Sequence, residues 1–238
     1  MSVFWNRQLI CKGVFVKKRI TLPQKKIEHL ENIIASFSKA KILVIGDFIL
    51  DQFIWGNVSR ISPEAPVPVV DVRKETFVPG GALNVGNNIT TLGGAVHPCG
   101  VIGRDRLGRN FLKIVKRKGI NTDGIIVNNV RPTTLKSRVI AHSQQVVRFD
   151  RESRNEIPEK DKELILDFCR KTIQNVDGVI IEDYGKGVIF PELISEVVAL
   201  ADRHSVYVAV DPKEKHFEYY KNVTIITPNK KEAYGAVG

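Results

Sequence analysis

Two carboxylates just after an apolar strand are the first residues of this chain with the chemistry to bind a ligand. Residues 42–45 form a continuous apolar run, which is typical of a central parallel strand buried on both faces. Asp47 and Asp51 follow this run. Ligands of parallel sheets bind beyond the carboxyl ends of the strands, and carboxylates accept hydrogen bonds from hydroxyl groups. The position predicts a site for a hydroxyl-rich ligand, although Asp51 could instead only cap a turn or a helix.

A glycine pair supplies the second half of this predicted site. Gly80 and Gly81 open a helical pattern over about residues 81–92, and Asn84 lies in its first turn. Glycines let a ligand approach the backbone closely, and a helix N-terminus has free N–H groups to offer. Asn84 adds an amide with donors and an acceptor. A Gly-Gly pair before a helix is also common as a simple turn, so the glycines by themselves leave both interpretations open.

Two β-rich stretches carry cations that could hold a phosphate group. Residues 52–73 and 133–150 lack a helix between their short strands, which predicts that they pair into a small antiparallel sheet. Lys136 and Arg138 would share one face of it, because alternate residues of a strand point the same way, and Arg148 lies on the next strand. Arginine offers a planar fork to phosphate. The alternative is that these are solvated charges at a sheet edge.

A lysine between two glycines follows another predicted strand, residues 178–182. Lys186 lies between Gly185 and Gly187, and the bare backbone of flanking glycines lets such a segment approach a ligand. Asp183 stands at the end of the same strand. We expect both residues to contact the substrate.

The order of predicted elements favours an α/β fold with a mostly parallel sheet flanked by helices. Strands and helices alternate along the chain, which is typical of this class. The predicted strands are 41–47, 95–101, 124–128, 178–182, 206–210 and 223–226, and the predicted helices are about 81–92, 106–118, 159–174 and 191–203.

Composition describes one soluble domain with a basic start. The 238 residues are 43% hydrophobic and 26% charged, with a net charge of +10, and no apolar run approaches the roughly 18 residues of a membrane span. Residues 1–26 contain seven cations and no acid, so most of the net positive charge belongs to an N-terminal tail. We expect this tail to be solvated; the alternative is that it is an organelle-targeting segment. We therefore expect neither a nucleic-acid partner nor a membrane partner.

Cysteine usage indicates a reducing compartment. Cys11, Cys99 and Cys169 are odd in number and widely separated, so they predict neither a disulfide framework nor a zinc site. A cytoplasmic location fits this pattern. The chain also has no Gly-x-x-x-x-Gly-Lys-Ser/Thr segment and no Gly-x-Gly-x-x-Gly segment after a strand, so a bound nucleotide would need a different cradle.

Collinear motifs carry a family resemblance over about residue 27 to the end. The chain resembles the ribokinase-like (PfkB) sugar kinases, and within them the D-glycero-β-D-manno-heptose 7-phosphate kinase branch. The motifs are residues 46–51, 59–70, 79–84, 101–105, 131–134, 138–152, 183–187, 211–213 and 227–233. The resemblance divides the chain into a basic tail, 1–26, and a C-terminally incomplete kinase domain, 27–238, whose small β sheet is a lid and often a dimer interface.

The resemblance implies an ATP-dependent phosphorylation of the anomeric hydroxyl of heptose 7-phosphate. The product, heptose 1,7-bisphosphate, would feed ADP-heptose synthesis for the lipopolysaccharide inner core. It implies that Asp51, Gly80, Gly81 and Asn84 orient the sugar and that the lid cations hold its phosphate. It also implies a nucleotide site formed by Asn229, Lys230, Lys231, Glu232 and Lys213.

Asn229 and Glu232 have two compatible interpretations. In the family's Asn-x-x-Glu element, the glutamate helps to hold Mg²⁺ through water and the asparagine contacts the nucleotide phosphates. The same spacing is that of a helix capping box, and we expect both roles. Lys213 would either meet the phosphates or be only a turn lysine.

One family element is not found. Ribokinase-like enzymes carry a later Gly-x-Gly-Asp segment whose aspartate is the catalytic base, and the sequence ends at Gly238 before any such segment. No catalytic residue is therefore assigned. The alternatives to a heptose phosphate kinase are a non-catalytic sugar-phosphate-binding or dimerising remnant, a kinase for another sugar, and, from the net charge alone, a nucleic-acid-binding protein.

Overall fold

A computed structural model describes residues 22–153 and 155–237 of the chain. Residues 1–21, which are most of the predicted basic tail, lie outside the described residues. Within the described residues the chain divides into two units, one that ends at Phe37 and one that begins at Ser38. Among the described residues, no helix combines the length and the hydropathy that a bilayer span requires.

The elements alternate as the sequence predicts. In chain order the strands are β1 (Lys41–Gly46), β2 (Phe48–Ile61), β3 (Pro68–Gly81), β4 (Ala95–Gly103), β5 (Ile125–Asn128), β6 (Leu135–Ala141), β7 (Gln144–Arg151), β8 (Gly178–Glu182), β9 (Tyr207–Asp211) and β10 (Ile225–Ile226). The α-helices are α1 (Gln24–Ser36), α2 (Ala82–Thr91), α3 (Arg106–Arg117), α4 (Glu159–Thr172), α5 (Pro191–Arg203) and α6 (Lys230–Val237). Short 3₁₀ helices are Phe37–Lys39, Ile173–Asn175 and Glu214–Tyr219.

The main sheet is parallel throughout and has helices on both faces. Its strand order is β10-β9-β8-β1-β4-β5, and every pairing in it is parallel. On β1, Leu43 and Ile45 pack into the core formed with α4 and α5, whereas Val44 packs into the core formed with α2 and α3. This two-sided burial is the physical reason for the uninterrupted apolar run of β1.

The second sheet, which we call the lid, is mixed rather than purely antiparallel. Its order is β3-β2-β6-β7; the two outer pairings are antiparallel, and the central pairing of β2 with β6 is parallel. The lid strands are also longer than predicted, because β2 begins at Phe48, which pairs with Gly81 at the end of β3. Asp51 and the glycine pair therefore lie at the base of the lid.

The carboxylate of Asp47 attaches the loop after β8 to the end of β1. Its Oδ2 accepts hydrogen bonds from the backbone N–H groups of Tyr184 and Lys186, both at 3.0 Å, and its Oδ1 accepts one from Val188 at 3.3 Å. Burial raises the pKa of Asp47 to about 6, against the opposing effect of these donors. The loop 184–188 is thereby held over the carboxyl edge of the main sheet.

Glu182 is a second buried carboxyl at this edge. It ends β8 and lies in register with Asp211 at the end of β9. Burial, and then the negative charge of Asp211, raise the pKa of Glu182 from 4.5 to about 7, while a hydrogen bond with Tyr184 lowers it. The folded protein thus binds this proton more tightly than the unfolded chain does.

Gly81 has a conformation that other residues rarely adopt. Its φ is +59° and its ψ is −142°, a region that is essentially restricted to glycine. An added Cβ would also overlap the carbonyl oxygen of Asp47. Gly119 provides a comparison, because its φ is +72° but an added Cβ would meet nothing within 4 Å.

We expect Gly81→Ala to lower the free energy of unfolding by at least about 3 kcal/mol, because backbone strain and overlap with Asp47 add together. The matched Gly119→Ala should cost only about 1–2 kcal/mol, since it carries the strain alone. Urea unfolding of both variants measures the difference. Equal losses would show that close contact with Asp47 does not restrict position 81.

We expect Glu182→Gln to raise the free energy of unfolding at pH 8 and to have little effect at pH 4.5. The wild-type carboxyl is neutral in both states below about pH 4.5, and stability is lost as pH rises through about 7, because the folded pKa is the higher one. Glutamine stays neutral throughout. Urea unfolding at the two pH values, with the exposed Glu218→Gln as control, measures this; an equal effect at both pH values would contradict the buried-charge explanation.

Candidate functional site

Asp51 and Gly80 meet at the base of the lid, as predicted. Asp51 Oδ2 occupies the space that a Cβ on Gly80 would fill, so only glycine leaves room for this carboxylate. The Asp51 Oδ1 atom forms an ion pair with Arg138 NH1 at 2.5 Å. The carboxylate is therefore held between the glycine backbone and a lid cation, and its side chain remains about a fifth exposed, at 21%.

The start of α2 lies next to these residues in the chain. Gly81 is the N-cap of α2, and no side chain caps the helix. The backbone N–H of Ala82 donates to the carbonyl oxygen of Asp47 at 3.1 Å. Asn84 is exposed in the first turn of the helix. The structure thus keeps the uncapped helix start and the exposed amide that the sequence predicts.

Two of the three predicted lid cations are paired with carboxylates. Arg138 pairs with Asp51, and its guanidinium lies 5.4 Å from the ring centroid of Phe53. Arg148 lies opposite Arg138 in the lid and donates to both carboxylate oxygens of Asp150, at 3.0 and 2.9 Å. Both guanidinium charges are therefore largely balanced within the lid.

Lys136 differs from these arginines. Within the part of the chain that the structure describes, it forms no ion pair, and its Nζ lies 5.7 Å from the ring centroid of Tyr184. Burial lowers the pKa of Lys136, and the charges of Lys186 and Arg148 lower it further, partly offset by Asp150 and Asp51. Lys136 is thus a half-buried ammonium whose surroundings favour an additional anion.

Contrary to the prediction, the side chain of Asp183 does not face the candidate site. Its side chain is fully buried, and its Oδ2 accepts hydrogen bonds from Tyr220 Oη at 2.5 Å and from His216 Nδ1 at 2.6 Å. Its Oδ1 accepts from the backbone N–H of Gly185 at 2.7 Å. Asp183 directly follows β8, as predicted, but its carboxylate turns inward, accepts hydrogen bonds from three donors and stabilises the loop.

Lys186 connects the loop to the segment after the lid. Its Nζ lies 2.6 Å from Glu152 Oε2, with both side chains nearly buried. Its carbonyl oxygen accepts a hydrogen bond from Arg131 NH2 at 2.6 Å, and the same guanidinium nitrogen also donates to Ser153 O. Lys186 is thus placed near Lys136, while its own charge is shared with Glu152.

The Asn229–Glu232 pair forms the expected capping box. Asn229 Oδ1 accepts from the N–H groups of Lys231 and Glu232 at 3.0 and 3.1 Å, and Glu232 Oε2 accepts from the N–H of Asn229 at 2.8 Å. The capping role is therefore confirmed, and the nucleotide role of this pair stays a prediction. Glu232 also adds its charge to the burial that raises the pKa of Asp211.

The other predicted nucleotide residues surround the same edge. Lys213 passes Gly185 closely, since a Cβ added there would lie 3.5 Å from Lys213 Cγ. Lys230 lies over the ring of Tyr234 at 5.8 Å, and Lys231 is exposed. Lys213 therefore lies against the loop that also carries Lys186.

Sequence reasoning did not select Tyr184 and Arg131. The side chain of Tyr184 hydrogen-bonds Glu182 at the sheet edge, and burial, followed by the charges of Glu182, Asp211 and Asp51, raises the pKa of Tyr184 to about 12. Arg131 reaches the loop across a large sequence separation. Tyr184 lies within the motif 183–187 and Arg131 opens the motif 131–134, so both positions carried a usable signal, although neither motif indicates which groups these side chains contact.

Comparison with known proteins gives consistent relatives. The pfkB family of carbohydrate kinases matches residues 39–238. A Bifunctional protein HldE from Helicobacter pylori strain J99 is 46% identical over 192 residues, which are 81% of this chain and 42% of that protein. The protein of the same name from Sulfurimonas denitrificans is 46% identical over 204 residues, 86% of this chain and 43% of that protein. The chain spans less than half the length of these relatives.

Solved structures share the fold at low sequence identity. Arabidopsis thaliana ribokinase complexed with ribose and ATP has a TM-score of 0.59 at 14% identity, covering 83% of this chain and 62% of that chain. The tetrameric inhibited form of phosphofructokinase-2 from Escherichia coli has a TM-score of 0.60 at 16% identity, covering 83% and 63%. The fold, the family match over residues 39–238 and the HldE relatives agree, and the chain belongs to the pfkB family of carbohydrate kinases.

Proposed function

We propose that this chain provides the sugar-phosphate-binding part of an ATP-dependent kinase acting on the anomeric hydroxyl of D-glycero-D-manno-heptose 7-phosphate. The product would be heptose 1,7-bisphosphate, an intermediate toward the ADP-heptose of the lipopolysaccharide inner core. The observation that carries the proposal is Lys136, an ammonium without an ion pair among the described residues, on the lid of a carbohydrate kinase domain. The reaction would take place in the cytoplasm.

The sugar would lie at the base of the lid. Asp51 can accept hydrogen bonds from hydroxyl groups, and Gly80 and Gly81 present bare backbone beside it. Asn84 is exposed on the first turn of α2 and can both donate and accept. These groups bind and orient hydroxyls, and positioning of this kind is a large part of phosphoryl-transfer catalysis.

The phosphate already carried by the sugar would bind to the lid cations. Lys136, Arg138 and Arg148 lie on one face of the lid, because they occupy alternate or directly opposed positions of β6 and β7. Lys186 approaches from the loop below. Arg138 and Arg148 are balanced by Asp51 and Asp150, so Lys136 is the cation that gains most from an added phosphate.

Mg-ATP would bind near the ends of β9 and β10. Among the described residues, no group of three or more His, Cys, Asp or Glu could hold a metal directly. Glu232 nevertheless presents an oxygen ligand at this edge, and magnesium usually retains several waters and binds through one or two carboxylates and substrate phosphates. The residues therefore fit a water-mediated ion, with Asn229, Lys230, Lys231 and Lys213 available to the nucleotide phosphates. We assign no catalytic base among the residues of this chain.

The proposed partner is a second copy of the chain, bound through the lid. Val147 and Phe149 on β7 are 49% and 51% exposed and share a face, because alternate residues of a strand do. Val72 on β3 adds further exposed apolar surface on the lid. Such a patch is typical of an interaction surface.

We expect the chain to be dimeric in light scattering and the double variant Val147→Glu, Phe149→Glu to be monomeric, because carboxylates would be buried in the interface. The control Leu164→Glu changes an apolar side chain of similar exposure on α4. A monomeric wild type, or a variant that remains dimeric, would rule out the lid as the interface.

We expect Lys136→Met to weaken binding of heptose 7-phosphate by about 10- to 100-fold, because one charge-assisted hydrogen bond to phosphate is lost. Binding of the same heptose without phosphate should change by less than about twofold, because the hydroxyl contacts remain. Isothermal titration calorimetry with both sugars measures the difference. The exposed Lys116→Met on α3 is the matched control, with affinities equal to those of the wild type.

Two results would contradict the proposal. If the wild type bound heptose and heptose 7-phosphate equally, the lid would not recognise phosphate. If Lys136→Met weakened both sugars equally, the lysine would act on the sugar or on the fold. A wild type that binds neither sugar would exclude the kinase and the sugar-binding interpretations together.

A further inference from the structure

Tyr184 lies between the main sheet and the lid. Its backbone N–H donates to Asp47 Oδ2 at 3.0 Å, which attaches it to the end of β1. Its ring faces the ammonium of Lys136 on lid strand β6, 5.7 Å from the centroid. One residue of the loop thus contacts both sheets.

The surroundings of Lys136 would otherwise displace its ammonium. In the lid register it lies beside Asp51 on β2 and Asp150 on β7, yet these carboxylates pair with Arg138 and Arg148 instead. Lysine carries a compact charge on a flexible four-carbon stem. An unpaired lysine near other cations would therefore turn toward solvent unless another group held it.

The face of the Tyr184 ring is that group. An aromatic ring attracts a cation within about 6 Å of its centroid, and the attraction increases when the pair is shielded from water. This contact neutralises no charge, so Lys136 keeps its full capacity to bind an anion. A carboxylate in the same place would hold the lysine equally well but would compete with a phosphate group.

The ring is itself firmly placed. Asp47 holds the backbone on both sides of Gly185 through Tyr184 and Lys186. Asp183, the preceding residue, is fully buried and accepts hydrogen bonds from His216 and Tyr220. The loop therefore has little freedom, and the ring position is determined by the main sheet rather than by the lid.

We propose that Tyr184 is a positioning residue that holds Lys136 in the orientation in which it receives the phosphate group of a phosphorylated sugar. The proposal rests on the proposed function only in that Lys136 binds this phosphate. Tyr184 itself contacts neither the sugar nor the phosphate. The proposal assigns this role to the ring face; the hydroxyl, which hydrogen-bonds Glu182, is not required for it.

Calorimetry with heptose 7-phosphate and with unphosphorylated heptose tests this on the full chain. Tyr184→Ala should weaken binding of the phosphorylated sugar by about 3- to 30-fold, because the ring contact is lost, and should leave the free sugar within about twofold. Tyr184→Phe should stay near the wild type, because phenylalanine keeps the ring face. In a Lys136→Met background, Tyr184→Ala should cost nothing further, because the two residues act as one unit.

Three results would overturn the proposal. Equal loss for both sugars would make Tyr184 a direct sugar contact. A Tyr184→Phe variant as weak as Tyr184→Ala would assign the effect to the hydroxyl. Additive losses in the double variant would show that Tyr184 and Lys136 act independently. Tyr207→Ala, at a tyrosine that is 70% exposed on β9, is the matched control and should bind both sugars as the wild type does.

A measurement without ligand separates this proposal from the proposed function. After reductive ¹³C-methylation of the lysines, the signal of Lys136 is identified by its loss in Lys136→Met. We expect its methyl protons to be shifted upfield by the ring in the wild type and in Tyr184→Phe, and to lose this shift in Tyr184→Ala. If the ring shift follows this pattern but the wild type binds heptose and heptose 7-phosphate equally, only the proposed function fails. If the wild type shows no ring shift, Tyr184 does not position Lys136.

Discussion

The site depends on one interaction, the acceptance of three backbone N–H groups by the buried carboxylate of Asp47. Asp47 stands where β1 ends and the lid begins, and the loop that it binds follows β8, the neighbouring strand. Burial raises the pKa of Asp47 to about 6, so its ionisation costs free energy that the three donors partly offset. In return, one side chain fixes the loop over the carboxyl edge of the sheet.

This arrangement lets two sheets share one site. The lid grows directly out of the main sheet through β2, and the parallel pairing of β2 with β6 places Lys136 beside Asp51. The loop 184–188 supplies Tyr184, whose ring faces Lys136, and Lys186, which pairs with Glu152. Cations that would repel one another are kept together because most of them have carboxylate partners. The exception is Lys136, which has an aromatic partner instead.

The chemistry of a protein is decided by the residues of its site and not by its fold, since proteins of one fold act on many substrates. In this chain the lid cations lie at one end of the candidate site, and the nucleotide region at the other end is a proposal from the family's Asn-x-x-Glu element. The capping box of Asn229 and Glu232 shows that a residue pair can satisfy a helix end and still present oxygen atoms at the sheet edge.

The sequence by itself determined the α/β class, the approximate positions of the main-sheet strands and of most helices, and the capping box of Asn229 with Glu232, because these follow from apolar periodicity and short-range hydrogen bonding. Only the tertiary structure decided that the lid contains a parallel pairing and that Asp183 turns inward. The contacts of Arg131 and Tyr184 were also decided there. Each of these depends on donors, charges or strands that are distant in the chain, and no local pattern records which of several partners a buried group will find.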